Sequence, residues 1–395
     1  MNKNKYKILI VYDVSYPSID GGGQRRLFEI ASRLINLKNV EIDWVCFKTW
    51  ENGDNNKHSS QINYIGIPGF KGLYNQSGSR RKLEPLEFLV SLYRAKVDYS
   101  KYDVIWSGQW PILHLISWSF KKDIRKKLIV DWWEYWGNTW FSYSRLIGWL
   151  GYFIEKFVLR RIGKYSKIIT ISETAQLEIK NLVKSPENIS LINNGIDSKE
   201  LFKIQENSNK IYDIGYLGRL KDHKRVDLLI RALKWVETNY GMKLSLVIIG
   251  DGPEKKKLYD LSADLGLKDR IYFKGAINSN TEVYKSLAQC SIFVNPSTKE
   301  GGGSITLFEA FALGLPSIAF DCKDGIDPSL IGNNSRGLLV HDVSYKELGK
   351  SIVALISNQS MVHEMSNNAL VFANKYDWDT ISILYSETFQ DIKTR

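Results

Sequence analysis

Short apolar runs recur along the chain, and stretches with helical spacing separate many of them. KILIVYDV (7–14) is the first run; a loop with Pro and Gly follows, then LFEIASRLINL, whose apolar positions keep a helical period. VEIDWVCF, NYIGI, DVIWSG, KLIVDW and KIITISE continue the series. A second cycle begins near residue 211 with IYDIGYLG, VDLLIRALKWVET, KLSLVIIGDG, a Lys-rich helical stretch, RIYFKGAI and SIFVNPS. Strand and helix in alternation is the rhythm of a parallel sheet wound on both faces. The pattern predicts an α/β protein of two Rossmann-like, doubly wound parallel-sheet domains facing each other across a cleft. The stretch NGIDSKELFKIQENSNK (194–210) is polar and has no hydrophobic period, so the linker is expected there, with a first domain over 1–200.

Length and composition agree with this picture. A chain of 395 residues exceeds one ordinary core. No apolar run approaches the roughly 20 residues needed to span a bilayer, and the apolar part of MNKNKYKILIVYDV is too short for a signal-peptide core. Cys46, Cys290 and Cys322 are odd in number and widely spaced, which suggests neither a disulfide framework nor a zinc site; a cytoplasmic setting is expected. The net charge of +11 is uneven: residues 1–200 hold 30 Lys/Arg against 20 Asp/Glu, and residues 201–395 hold 24 against 23. An anionic partner for the first half would explain the excess, and a surplus serving only solubility is the open alternative.

Two stretches of the second half carry candidate chemistry. GYLGRLKDHKRVD places Arg219 and Lys224 where a strand gives way to a helix, the edge at which open α/β sheets bind ligands. A guanidinium and an ammonium there suit a diphosphate, although both residues are common on any surface. In KEGGGSITLFEAFALGLP, Glu300 precedes Gly301, Gly302 and Gly303, and Ser304 opens a helix. The first amides of that helix, around Ser304, Ile305 and Thr306, would face an anion. Glu309 follows less than two turns in and would meet sugar hydroxyls; a mere tight turn is the alternative. Neither half carries GxGxxG after its first strand or GxxxxGK[ST], which leaves dinucleotide and P-loop readings without a motif.

Seven pieces run in order through the second half: NNGID (193–197), GYLGRL with Lys224, IIGDGP (248–253), FKG (273–275), VNPS (294–297), EGGGSITLFEAFALGLP (300–316) and RGLLV (336–340). In these the chain resembles the retaining glycosyltransferases of family 4 (glycosyl transferases group 1), which share the GT-B fold. DGGGQRRLFEIASRL (20–34) and IITISE (168–173) extend the resemblance into the first half. It implies an acceptor-binding domain over 1–200, a donor-binding domain over 201–375 and a terminal helix, 376–395, that crosses back to the first. Arg219 and Lys224 would bind the donor diphosphate and Glu309 its ribose. The family's first glutamate contacts the transferred sugar, but the family spaces the pair eight apart, and Glu300 and Glu309 are nine apart. Either an extra glycine bulges the loop and Glu300 keeps the role, or the role is lost. Gly22 and Gly23 match the loop over the donor phosphates, with Gln24 and Arg25 behind them; glycines that only let the chain turn are the alternative. Many relatives carry a sugar-directed histidine on the loop matched by DWWEYWGNTW (131–140). Trp133 stands in its place, with Asp131 and Glu134 the nearest polar candidates. If the leaving phosphate takes the acceptor proton on the front face, no strong base is required.

Eight of the twelve tryptophans fall within 101–150. In the following stretch, 145–164, Arg145, Lys156, Arg160 and Lys164 share one face, and Leu146, Leu150, Phe153 and Phe157 another. A core helix with a solvated basic face is the expectation; a face resting on anionic membrane is the alternative. FKKDIRKK (120–127) shares the ambiguity. Taken together, the expectation is a hexosyltransferase that moves a sugar from a UDP- or GDP-sugar to a glycan or lipid-linked acceptor, with no cofactor and no metal, in the cytoplasm or peripheral at the inner membrane face. A GT-B epimerase or phosphorylase is the alternative within the fold. A nucleic-acid-binding protein is the alternative from another class, without a recognition fold to support it.

Overall fold

The first sheet has seven strands, all parallel: β1 (Tyr6–Val11), β2 (Val40–Phe47), β3 (Ile62–Ile67), β4 (Val104–Gly108), β5 (Leu128–Asp131), β6 (Lys167–Thr170) and β7 (Ile189–Leu191), in the order β3-β2-β1-β4-β5-β6-β7. The second has six, also parallel: β8 (Tyr212–Leu217), β9 (Leu246–Ile249), β10 (Ile271–Gly275), β11 (Cys290–Asn295), β12 (Ser317–Phe320) and β13 (Gly337–Val340), in the order β10-β9-β8-β11-β12-β13. These come from a computed structural model that describes residues 6–19, 21–37, 40–50, 61–73, 81–143, 145–300 and 303–393. Central strands read as unbroken apolar runs because helices cover both sheet faces: Ile8 to Val11 and Leu246 to Ile249 are all buried.

Each sheet belongs to a separate compact unit. Residues 194–377 form one, and the chain up to Asn193, with Trp378 onward, forms the other. The helix Trp378–Lys393 lays Trp378, Ile381, Tyr385, Phe389 and Ile392 into the first unit, a buried stripe at helical spacing. Tyr6 Oη donates to the carbonyl of Phe389 (2.8 Å), and Arg33 Nε pairs with Asp379 (3.0 Å). The segment expected to be linker holds a helix, Ser198–Glu206. Its polar residues conceal a short apolar stripe: Leu201 is wholly buried in the core of the second unit, and Phe202 and Ile204 pack beside it.

In both sheets the strand order reverses once, between β1 and β4 and between β8 and β11. Loops leaving neighbouring strands there diverge and open a crevice at the carboxyl edge. Gly250, which follows β9 with φ +133°, lets that edge close up: a Cβ on it would lie 2.0 Å from the carbonyl oxygen of Gly218.

Candidate functional site

The reversal in the second unit brings together two candidate residues of that half, Lys224 and Glu300. After β8 the chain turns through Asp222–Lys224, and Arg225 takes a left-handed conformation (φ 49°) before the helix Val226–Tyr240. The loop after β11 lies on this turn. The carbonyl of His223 accepts from Thr298 N (2.9 Å), Thr298 Oγ1 (3.2 Å) and Ser297 Oγ (3.3 Å). Glu300 is thereby brought to Lys224, with Nζ 2.6 Å from Oε1, both side chains mostly buried. Glu300 N donates to the carbonyl of Asp324 (2.8 Å), which fixes the loop from its other side. Burial, then the charges of Arg219 and Lys224, hold Lys221 below the usual lysine range. Burial, then Lys224 and Lys221, likewise lower His223.

Gly301 and Gly302 lie outside the described residues. The carbonyl of Gly303 accepts from Asn194 Nδ2 (3.3 Å). Ser304 precedes the helix Ile305–Ala312 but does not cap it; its hydroxyl is held by Asn295 Nδ2 (3.2 Å) and Thr306 Oγ1 (3.0 Å). Ile305 and Thr306 begin the helix and are partly exposed. Glu309 sits one turn further, 4% exposed between buried Phe308 and Ala310. A carboxylate so deep requires donors, and Tyr284 Oη supplies one at 3.0 Å.

In the first unit, Gly22 and Gly23 open the helix Gly22–Leu37 beyond β1. A Cβ on Gly23 would lie 2.4 Å from the Trp133 ring, so glycine here makes room for an indole as well as for a turn. Trp133 also meets Tyr12 edge-on, centroids 5.7 Å apart. The buried Gln109 side chain clamps this loop: Oε1 accepts from Trp133 N (2.6 Å) and Glu134 N (3.2 Å), and Nε2 donates to the Glu134 carbonyl (3.1 Å). Glu134 Oε1 accepts from Trp136 Nε1 (2.6 Å). Gln24 donates to the carbonyl of Ile19 (3.0 Å), and Arg25 stands 4.0 Å from Glu29.

Asp131 is wholly buried at the end of β5. Tyr385 Oη lies 2.8 Å from its carboxylate, Trp106 Nε1 donates at 3.2 Å and Arg26 Nε stands at 3.5 Å. Arg26, itself buried, also donates to the carbonyls of Ile192 (2.6 Å) and Asn193 (2.7 Å) and to Tyr385 Oη (2.9 Å). Burial pushes the Asp131 carboxyl above the usual carboxylate range, against the pull of Arg26, Tyr385 and Trp106.

Residues 197–371 match the family model of the glycosyl transferases group 1. The matched range includes Arg219, Lys224, Glu300 and Glu309 and leaves out the first-unit candidates. The chain is 28% identical to the poly(ribitol-phosphate) alpha-N-acetylglucosaminyltransferase of Staphylococcus aureus over 216 residues, 54% of this chain and 42% of that protein. It is 27% identical to the N-acetylgalactosamine-N,N'-diacetylbacillosaminyl-diphospho-undecaprenol 4-alpha-N-acetylgalactosaminyltransferase of Campylobacter jejuni over 231 residues, 57% of this chain and 60% of that one. The matches thus span about half the length of these curated relatives. Among solved structures, HepE of Anabaena in complex with UDP superposes with a TM-score of 0.71 at 18% identity, covering 98% of this chain and 100% of that one. Two parallel-sheet Rossmann-like domains of the GT-B class are the fold.

Three residues that hold the site region escaped the sequence reading: Arg26, Gln109 and Glu155. Arg26 lies on the buried stripe of its helix with Leu27, Ile30 and Leu34, and a cation on an apolar stripe is the signal that was available. Glu155 is the same case, on one stripe with Val158, Leu159 and Ile162. That stripe corrects the expected facing of the helix Arg145–Ile162: Leu150, Phe153 and Phe157 are exposed, while Arg145 and Leu146 fall outside the described side chains. Glu155 accepts from Trp136 N (3.0 Å), Gly137 N (2.9 Å) and Trp140 Nε1 (3.0 Å). Burial pushes its carboxyl up to about 7 from the model-peptide 4.5, against the pull of those donors. A carboxyl raised on folding stabilises when protonated, so its contribution is complete below about 4.5 and lost as pH rises through about 7. Urea unfolding of wild type and Glu155→Gln between pH 8 and pH 5 checks this: the stability difference should move in favour of wild type as pH falls.

Proposed function

We propose that the protein is a retaining glycosyltransferase that moves a sugar from a UDP- or GDP-sugar to a hydroxyl of a lipid-linked or cell-surface glycan precursor. The observation that carries the reading is the meeting of Lys224 and Glu300 at the edge where the second sheet reverses, beside a helix start at Ser304 with Glu309 one turn in. Arg219 and Lys224 would neutralise the diphosphate, and amides around Gly303, Ser304, Ile305 and Thr306 would hold its oxygens. Glu309 would accept from the ribose hydroxyls. Glu300, reaching Lys224 in spite of the nine-residue spacing, would meet the transferred sugar. In the reaction the bond from the anomeric carbon to the diphosphate oxygen breaks, the acceptor oxygen bonds to that carbon on the same face, and its proton passes to the departing phosphate. Preorganised cations stabilise the charge that develops on the leaving group. In the first unit, Gly22 and Gly23 are proposed as donor-binding and Arg25, Trp133 and Glu134 as acceptor- or sugar-binding. The undecaprenol and poly(ribitol-phosphate) in the relatives' names, with the UDP of the Anabaena protein, support these substrate classes.

A thermal-shift panel of UDP, GDP, ADP and NAD tests the reading. One nucleoside diphosphate at a hundredfold excess over its dissociation constant should add about 2.7 kcal/mol of stability, and NAD should add none. A shift by NAD alone, or by no nucleotide, would end it. Glu300→Gln should keep or strengthen that shift, because Lys224 is released from a carboxylate, yet lower sugar transfer about a hundredfold. Unchanged transfer would remove Glu300 from the sugar site.

A further inference from the structure

The helix Arg145–Ile162 buries one stripe and leaves another bare. Opposite Glu155 and Ile162, Trp149, Leu150, Phe153 and Phe157 are 42% to 62% exposed, and Phe120 joins them at 60%. These side chains form a connected surface: Trp149 stacks on Phe153 with centroids 5.6 Å apart, and Phe120 lies 5.9 Å from Phe157. Single exposed apolar residues are ordinary, whereas a connected patch marks a surface that meets something apolar.

The charge beside the patch says what that is. Residues 156–167 hold five Lys/Arg and no acid, and residues 120–127 hold five against Asp123 alone. Lys121, Lys122, Arg160 and Lys164 are exposed, and the Arg161 guanidinium lies 4.4 Å over the Phe120 ring. Protein interfaces are depleted in lysine. Bulky aromatics flanked by Lys and Arg suit a layer of anionic headgroups above acyl chains. Among the described residues no helix is long and apolar enough to cross a membrane, so this face would lie in the interfacial plane.

We infer that this face docks the first unit on a bilayer containing anionic lipid. Trp149, Leu150, Phe153 and Phe157 enter the headgroup region, and Arg160, Lys164 and Lys121 pair with lipid phosphates. The inference deepens the proposed use of a lipid-linked acceptor, which diffuses in that plane, and rests on that reading for its purpose.

Co-sedimentation with phosphatidylcholine vesicles, with and without phosphatidylglycerol, tests it on the full chain. Wild type should pellet with the anionic vesicles only, and less so in high salt. Trp149→Ser with Phe153→Ser, and separately Arg160→Glu with Lys164→Glu, should each weaken partition about tenfold or more, with unchanged melting and nucleoside diphosphate shift. Wild type that stays in solution, or variants that pellet like wild type, would overturn the inference. So would a lipid-free dimer that the aromatic variant converts to monomer, since the patch would then bind a second copy. Nucleotide binding without lipid binding defeats the docking alone; lipid binding without any nucleotide shift defeats the transferase reading alone.

Discussion

Glu309→Ala is expected to erase the melting shift given by the nucleoside diphosphate and to lower kcat/KM about a hundredfold or more. Burial sets the size of the effect. Glu309 is 4% exposed and held by Tyr284, and hydrogen bonds to a charged acceptor contribute roughly 1.5–3 kcal/mol each. Two ribose hydroxyls on one carboxylate therefore account for two decades or more. Because the carboxylate would bind the nucleoside in ground state and transition state alike, the loss should appear mainly in KM and in nucleotide affinity. Tyr284→Phe separates binding from support: it removes one donor to the carboxylate and should leave most of the affinity. If Glu309→Ala kept the nucleotide shift, the carboxylate would belong to the core alone and the proposed ribose contact would fall.

The fold and the second-unit candidates were legible because their chemistry is nearly contiguous. Lys224 follows one strand and Glu300 another, and strand order alone carries both to the reversal. The helix after Ser304 then places Glu309 by its period. The first unit was less legible because its polar residues are satisfied from far along the chain. Asp131 stood in the sequence as a polar residue on an aromatic loop; its partner Tyr385 is 254 residues away, on the terminal helix. The helix Arg145–Ile162 departs from expectation for a different reason. It has apolar residues on two faces, and a period cannot say which of them is covered. Glu155 on the buried stripe and three exposed aromatic rings invert the usual rule that apolar faces turn inward. The short helix Ser198–Glu206 was hidden because one buried leucine and two flanking apolar residues are too few to mark a stripe.

Arg26→Ala or Asp131→Ala should each cost the first unit about 3–5 kcal/mol, read as a lower midpoint of urea unfolding. Removing either partner leaves the other charge buried without compensation, the costly case for an ion pair. Arg26 and Asp131 are both at most 1% exposed, and Tyr385 joins them, so nothing nearby admits water to replace the lost partner. The paired variant Arg26→Met with Asp131→Leu should be far less destabilised than the two single losses combined, because both desolvation penalties vanish together. Additive losses would show that the two charges are not coupled. The same variants decide what Asp131 is for. As a counter-ion it ties the start of the first helix and the end of β5 to the terminal helix, so Asp131→Asn should lose stability while the nucleoside diphosphate affinity of the folded protein persists. A variant that melts like wild type but transfers no sugar would place Asp131 in the chemistry, and the buried network would then hold a catalytic carboxylate in position.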